Sequence, residues 1–406
     1  MQVSRRQFAA TLAMSVPVLA QAQEATFDWP QWRGPNRDGI SAEKDFATTW
    51  PKEGPPRLWS ANLGGGYSTV AVVGDRLYTM GNVNDVDRVM CLNTATGKQL
   101  WDYKYPCSAA DPNGYPGPRC TPTVDGNLVY TVSRQGHLLC LSAANGALVW
   151  NQHLVNNFGG RMPQWGFSGS PLVEGNLLIL ETGAQGRSVL ALNKLNGRLV
   201  WATGNYAAGY SSPVAFDLGR ERAVAVFSAG GLTCRAVSNG RILWHYNWRT
   251  SYDVNAATPI VFDDKIFISS GYGSGCALLQ MTANSVQLVW SNKNMRNQFS
   301  SCVRSRGHLY GFDDNQLRCL DLITGAVKWS TLAYGKGSLM TADGRLILYG
   351  ERGRLGLAEA SPTGFQELAG AQVLGGNSTW APPVLANGHI YCRSFASLAC
   401  LNVATK

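Results

Sequence analysis

Through the body of the chain, apolar residues gather in short runs that turn residues interrupt. Over 166–201 the runs fall at 170–173, 177–180, 188–192 and 199–201. Between them stand Glu174-Gly175-Asn176, a glycine-bounded stretch at 183–186 and Asn196-Gly197. Runs this short, closed by Gly, Asn and Asp, read as β-strands, four to a unit. No window beyond the N-terminus keeps a helical spacing of apolar positions. The pattern predicts an all-β chain.

The units repeat. A phrase that reads Cys-Leu-Asn-Thr-Ala-Thr-Gly-Lys-Gln-Leu-Trp at 91–101 returns, varied, at 140–150, 191–201, 236–244, 279–290 and 319–329. Trp59 precedes Trp101 by 42 residues, and the later steps are 49, 51, 43, 46 and 39. A degenerate copy ends at Leu368. A period near 40 to 50 residues marks a repeat whose single unit cannot bury its apolar face alone. Four strands per period predict a propeller blade, and eight units fit the count.

Two local devices recur with the period. Thr96-Gly97, Asn145-Gly146, Asn196-Gly197, Asn239-Gly240 and Thr324-Gly325 supply the positive φ of a tight hairpin just ahead of each tryptophan. The tryptophan then falls on an outer strand, where its ring wedges between blades and its N–H needs an acceptor, expected on a backbone carbonyl of the adjacent blade. The eighth unit, 369–406, lacks a tryptophan strand, which Leu58-Trp59 can supply. The ring is therefore expected to close by pairing of its N- and C-terminal strands, leaving no exposed sheet edge.

Residues 1–22 stand outside the repeat. Ser4-Arg5-Arg6-Gln7-Phe8 precedes an apolar run at 9–20, and Ala20-Gln21-Ala22 offers a cleavage site. This reads as a twin-arginine signal peptide and predicts a periplasmic or secreted protein. The expected organisation is signal peptide 1–22, an N-terminal extension 23–56 packing on the propeller, and the propeller itself at 57–406. Within the extension, residues 29–39 are expected to lie across one end of the ring. No other apolar run approaches the ~18 residues of a membrane span.

The formal charge of +9 falls to +7 once Arg5 and Arg6 are removed, and no basic block gathers what remains. Nucleic acid is therefore not an expected partner. Ten cysteines in an exported chain raise the question of disulfides. Cys91, Cys140, Cys319 and Cys400 share one slot of the repeat with Ala191 and Ala236, which marks a small buried position. Cys107 with Cys120, and Cys392 with Cys400, are the pairs that could bond. No C-x-x-C spacing suggests zinc.

Chemistry is expected where the loops lead into the innermost strands. Those loops present Tyr67, Arg119, Trp165, Tyr210, Asn255, Asn297, Lys336 and Trp380. Two cations, four aromatics and two amides suit a flat or anionic small molecule, or a peptide. The bland alternative is that these residues cap the channel. The loop 111–118, with three prolines, is either functional or a lid. His137, His308 and His389 each follow a glycine in a turn and read as surface residues. Gly271-Tyr272-Gly273-Ser274-Gly275 is followed by no helix, and Gly166-Phe167-Ser168-Gly169-Ser170 misses the nucleophile-elbow pattern by one glycine. No catalytic residue is assigned.

The phrase ending in Thr/Asn-Gly-x-x-x-Trp resembles the tryptophan-docking repeat of the pyrroloquinoline-quinone-like (PQQ-like) eight-bladed propellers. The opening Asp28-Trp29-Pro30-Gln31-Trp32-Arg33-Gly34-Pro35 resembles the leader of exported bacterial members. The resemblance implies two functions. One is a cofactor-free, monomeric scaffold that binds an envelope protein or a small anionic or flat ligand, as in the propeller lipoprotein of the outer-membrane β-barrel assembly machine. This chain lacks that protein's lipid-attachment cysteine. The other is a quinoprotein dehydrogenase for alcohols or sugars, using PQQ with calcium. Members of that branch carry an adjacent cysteine pair, absent here, and acidic calcium ligands, for which Asp253 beside Asn255 is the nearest match. On that second reading Trp165 or Trp380 would floor the quinone, and Arg119 or Lys336 would meet its carboxylates.

Overall fold

The computed structural model describes residues 26–376 and 379–405. The signal sequence read from residues 1–22 lies outside them. Eight antiparallel sheets follow one another along the chain, each built from four consecutive strands except at the closure. Blades 1 to 7 occupy residues 71–106, 123–153, 172–203, 214–247, 260–292, 303–331 and 337–372. Blade 8 takes three strands from residues 384–402 and its outermost strand, Arg57–Asn62, from the other end of the chain. Trp59 there stands opposite Cys400, as the missing tryptophan strand requires. The only α-helix among the described residues is the single turn Leu154–Phe158.

Burial orders the strands. The second and third strands are almost wholly buried, whereas outer strands such as Arg57–Asn62 and Leu148–His153 bury chiefly the tryptophan. On that strand the indole faces one position of the third strand. That position holds Cys91, Cys140, Ala191, Cys234, Leu278, Cys319, Leu357 and Cys400. Two expectations are corrected in this register. Cys234, not Ala236, fills the slot in blade 4, and Ala369, not Leu368, stands in the tryptophan's place in blade 7. A bulge stands beside this position in every blade, so Cys234 keeps the ten-residue spacing to Trp244 that Cys91 has to Trp101, whereas Leu357 and Ala369 lie twelve apart. All ten cysteines are buried free thiols, so neither candidate pair is bonded.

The indole N–H of six of the seven docking tryptophans reaches a carbonyl of the next blade. Trp59 donates to Thr94 at 2.7 Å, Trp101 to Ala143 at 3.0 Å, Trp150 to Lys194 at 2.9 Å and Trp201 to Val237 at 2.9 Å. Trp290 donates to Leu322 at 3.3 Å and Trp329 to Ser361 at 2.8 Å. Trp244 alone leaves its buried N–H without an acceptor. Its neighbour, blade 5, turns through Thr282-Ala283-Asn284-Ser285, which has no glycine to let the ring lie close.

Residues 27–47 cross one end of the ring and touch every blade. Trp29 exchanges backbone hydrogen bonds with Val72 of blade 1, and Pro30 accepts from Val124 of blade 2. Arg37 donates to the carbonyls of Ser170, Pro171 and Pro213, at the starts of blades 3 and 4. Trp32 Nε1 donates to Thr258 Oγ1 of blade 5 at 2.8 Å, and Arg33 to Cys302 O of blade 6 at 2.6 Å. Ile40–Ser41 adds a parallel strand inside blade 7, and Phe46 bridges Ala404 beyond blade 8. Burial lowers the pKa of Arg37 to about 9, with no carboxylate to offset it. Its charge is held by carbonyl dipoles instead.

Candidate functional site

The opposite mouth opens into a cavity of about 180 Å³. Its wall is tied together by hydroxyls at the starts of the inner strands. Ser170 Oγ accepts from Thr121 N, Ser212 Oγ from Ser170 N and Ser301 Oγ from Thr258 N, all between 2.9 and 3.0 Å. Each bond joins one blade to the next, so the channel wall is preorganised before any ligand arrives.

Five of the eight residues expected at the mouth line this cavity: Tyr67, Arg119, Trp165, Tyr210 and Trp380. Tyr67 stacks on Trp380 with centroids 5.2 Å apart and planes 19° from parallel. Phe299 stacks on the same indole at 4.7 Å, and Tyr115 of the proline-rich loop packs against it at 5.1 Å. Across the cavity Trp165 meets Tyr210 edge-on at 5.8 Å and Tyr252 at 6.1 Å, and Tyr252 meets Tyr272 at 5.6 Å. Two aromatic walls thus face each other, with Trp32 of the crossing segment also lining the space. Burial pushes the Tyr210 phenol up to about 12, so it stays protonated at neutral pH.

The two amides do not reach the cavity. Asn255 is fully buried, donating to Ser228 O at 2.8 Å and Trp248 O at 3.1 Å while accepting from Ser270 at 2.7 Å. Asn297 donates to Phe312 O at 3.0 Å and accepts from the Cys302 thiol. Both brace loops, because a buried amide must spend its donors and acceptors on the chain. Lys336 also stands aside, held by Asp314 at 2.9 Å and by Gln298 Oε1 at 2.7 Å.

Among the described residues Arg119 is the only charged side chain lining the cavity, and it has a partner. Asp111 bridges Arg119 at 2.8 Å and Arg134 at 3.5 Å. Burial would raise the pKa of Asp111, but hydrogen bonds from Asn113 and the charges of Arg134 and Arg119 outweigh it and hold the carboxyl below its ordinary value. The guanidinium of Arg119 lies 5.8 Å over the Tyr67 ring and donates to the carbonyls of Gly117 and Tyr115. The loop 111–118 is fastened a second time where Gln164 Nε2 donates to Asn113 at 3.2 Å. It reaches from blade 2 toward both aromatic walls.

Calcium and quinone do not fit this donor set. No carboxylate lines the cavity; Asp111 and Asp314 are engaged by cations, and Asp253 sits exposed on the turn Ser251–Asp253 outside the lining. Among the described residues no three His, Cys, Asp or Glu side chains gather closely enough to hold a metal. A bidentate-rich oxygen cage is what calcium requires.

Comparison with known proteins agrees on the architecture. No curated protein sequence matches the chain at a significant level. Among solved structures, BamB from Moraxella catarrhalis superposes with a TM-score of 0.62 at 16% identity, covering 86% of this chain and 98% of that one. Quinohemoprotein alcohol dehydrogenase from Comamonas testosteroni superposes with a TM-score of 0.70 at 14% identity, over 94% of this chain and 81% of that one. A europium-containing methanol dehydrogenase gives 0.67 at 11% identity, over 91% and 90%. Identities this low establish a shared fold and nothing finer. No helix among the described residues is long and apolar enough to cross a membrane. A family model described as outer membrane protein assembly factor BamB matches residues 52–114 and 112–331, and the chain belongs to that family of PQQ-like propellers.

Proposed function

We propose that this chain is an exported, non-catalytic propeller that binds a protein partner at its aromatic mouth. The observation that carries the reading is the composition of the cavity: facing aromatic walls, one cation already neutralised by Asp111, and no acid or base free to move a proton. General acid–base chemistry needs a titrating group within reach of the substrate, whereas aromatic side chains around a concave mouth are what binding surfaces use as anchors. The family description, an assembly factor, points the same way. The alternative, a dehydrogenase using PQQ and calcium, has the fold of its relatives in its favour and the donor set against it. The expected location is the periplasm or the exterior, on the strength of residues 1–22.

Affinity capture from the cell-envelope fraction tests the proposal, with wild-type protein beside Trp165→Ala. A co-purifying protein that the variant loses is the expected result. Equal capture by both proteins, or dye reduction by an alcohol after reconstitution with quinone and calcium, would overturn it.

A further inference from the structure

We infer that the mouth cavity takes one uncharged planar ring, an aromatic side chain of the partner, and that Trp32 of the N-terminal segment is part of its seat. This rests on the proposed binding role and adds the chemistry of what is bound. Two observations on the cavity lead to it.

The first is size and shape. A space of about 180 Å³ between two aromatic walls has room for a planar ring. Its walls offer both faces and edges: Trp380 carries stacked neighbours at 4.7 and 5.2 Å, while Trp165 and Tyr210 meet at 61°. Rings prefer offset-stacked and edge-to-face partners, and this lining presents each.

The second is polarity. The serine hydroxyls, the amide and the cation of the lining are already used within the protein. Ser168 donates to Gly166 O, and Ser212 accepts from Ser170 N. Gln298 accepts from Lys336 and donates to Tyr272, and Arg119 serves Asp111 and two carbonyls. A sugar would bury a belt of hydroxyls with few partners left to meet them, which is unfavourable. A phenyl or phenol ring makes no such demand. An anion would have to displace Asp111 from Arg119.

Calorimetric titration of the mature chain with N-acetyl-tyrosinamide tests the inference, with methyl glucoside and N-acetyl-glycinamide as the competing probes. The tyrosine amide alone is expected to bind, in about the millimolar range that one small ring supplies. Tyr115→Ala and Phe299→Ala are each expected to weaken it about five- to tenfold by removing a ring contact. Tyr115→Phe should restore the binding. Tyr115 is partly exposed, so its removal leaves the fold intact, and unchanged melting of all three variants separates a lost contact from a lost fold. Binding of the glucoside in place of the amide overturns the inference while leaving a ligand-binding mouth. Binding of neither probe also overturns it, whatever the capture experiment shows. Amide binding together with partner capture indifferent to Trp165→Ala would sink the proposed function instead and keep the ring preference.

Discussion

Gly97 lies against the indole face of Trp59 so closely that a β-carbon on the glycine would come within 2.6 Å of the ring. The same contact joins Gly146 to Trp101, Gly197 to Trp150, Gly240 to Trp201 and Gly325 to Trp290. The turn glycine thus meets two demands at once. It adopts a φ of +68°, and it clears space for the tryptophan of the preceding blade.

Gly97→Ala should separate these demands. The left-handed conformation costs a β-carbon ~1–2 kcal/mol, and forcing it into the ring adds ~1–3 kcal/mol, so a loss of about 2–4 kcal/mol is expected. Gly186→Ala supplies the control, since its φ is +72° but nothing lies within 4 Å. Denaturant titration should show a loss of only ~1–2 kcal/mol there. Equal losses at the two sites would show that the ring contact is unimportant.

The seams are not equivalent, and Trp244→Phe against Trp201→Phe exposes the difference. Trp201 donates to Val237 O, so removing its N–H leaves a buried carbonyl unpaired, at a cost of ~1–3 kcal/mol. Trp244 has no such bond to lose. Its replacement should leave stability nearly unchanged apart from the smaller ring's lost packing. A larger loss at Trp244 than at Trp201 would contradict the unpaired assignment.

Arg37→Met should destabilise strongly, by ~3 kcal/mol or more, because three inward-facing carbonyls lose their donor together. Arg37→Lys is not expected to rescue it, since one ammonium cannot reproduce the planar fork. A melting curve for each variant decides the matter; recovery with lysine would mean that charge alone suffices.

Glu181 predicts the pH response. Burial raises its carboxyl to about 7, outweighing the hydrogen bond from Ser228 and the charge of Arg235. The folded chain therefore holds this proton more tightly than the unfolded chain. That contribution to stability is complete below the ordinary value of 4.5 and is lost as pH rises through about 7. Melting temperature should fall over this interval in the wild type, and Glu181→Gln should remove that part of the fall. The same slope in the variant would place its origin elsewhere.

The thiols offer a fifth measurement. Burial raises Cys140 and Cys400 to about 12, and Cys91 and Cys120 to about 11. A thiol reagent is expected to find no reactive cysteine in the native protein and ten in denaturant. Fewer than ten after unfolding without reductant would reveal a disulfide.

The blade count and the closing strand were legible because their signals are local: a glycine, a tryptophan and a fixed interval. Cys234 was legible too, since it precedes Trp244 by the same ten residues that separate Cys91 from Trp101. The drift at Leu368 arose because the unit ending there is longer by two and carries no indole to anchor it. At the mouth, bulky aromatics could be read from their place ahead of the inner strands. The partners of Arg119 and Lys336 could not, because Asp111 and Asp314 arrive from other loops. An asparagine in such a loop looks the same whether it faces a ligand or, like Asn255, ties down the chain. Trp32 belongs to no repeat and offered only its position in the leader.

The eight-way contact of residues 27–47 sets an order of events during synthesis. Trp29 and Arg33 leave the ribosome long before Asn387 and Ala404 exist, so the hub is made first and its last spoke comes at the end. A nascent chain that stops short of blade 6 holds Arg33 without its Cys302 acceptor and the strand Arg57–Asn62 without its partner. Closure of the wheel therefore waits until residues 384–402 are made and meet the strand Arg57–Asn62.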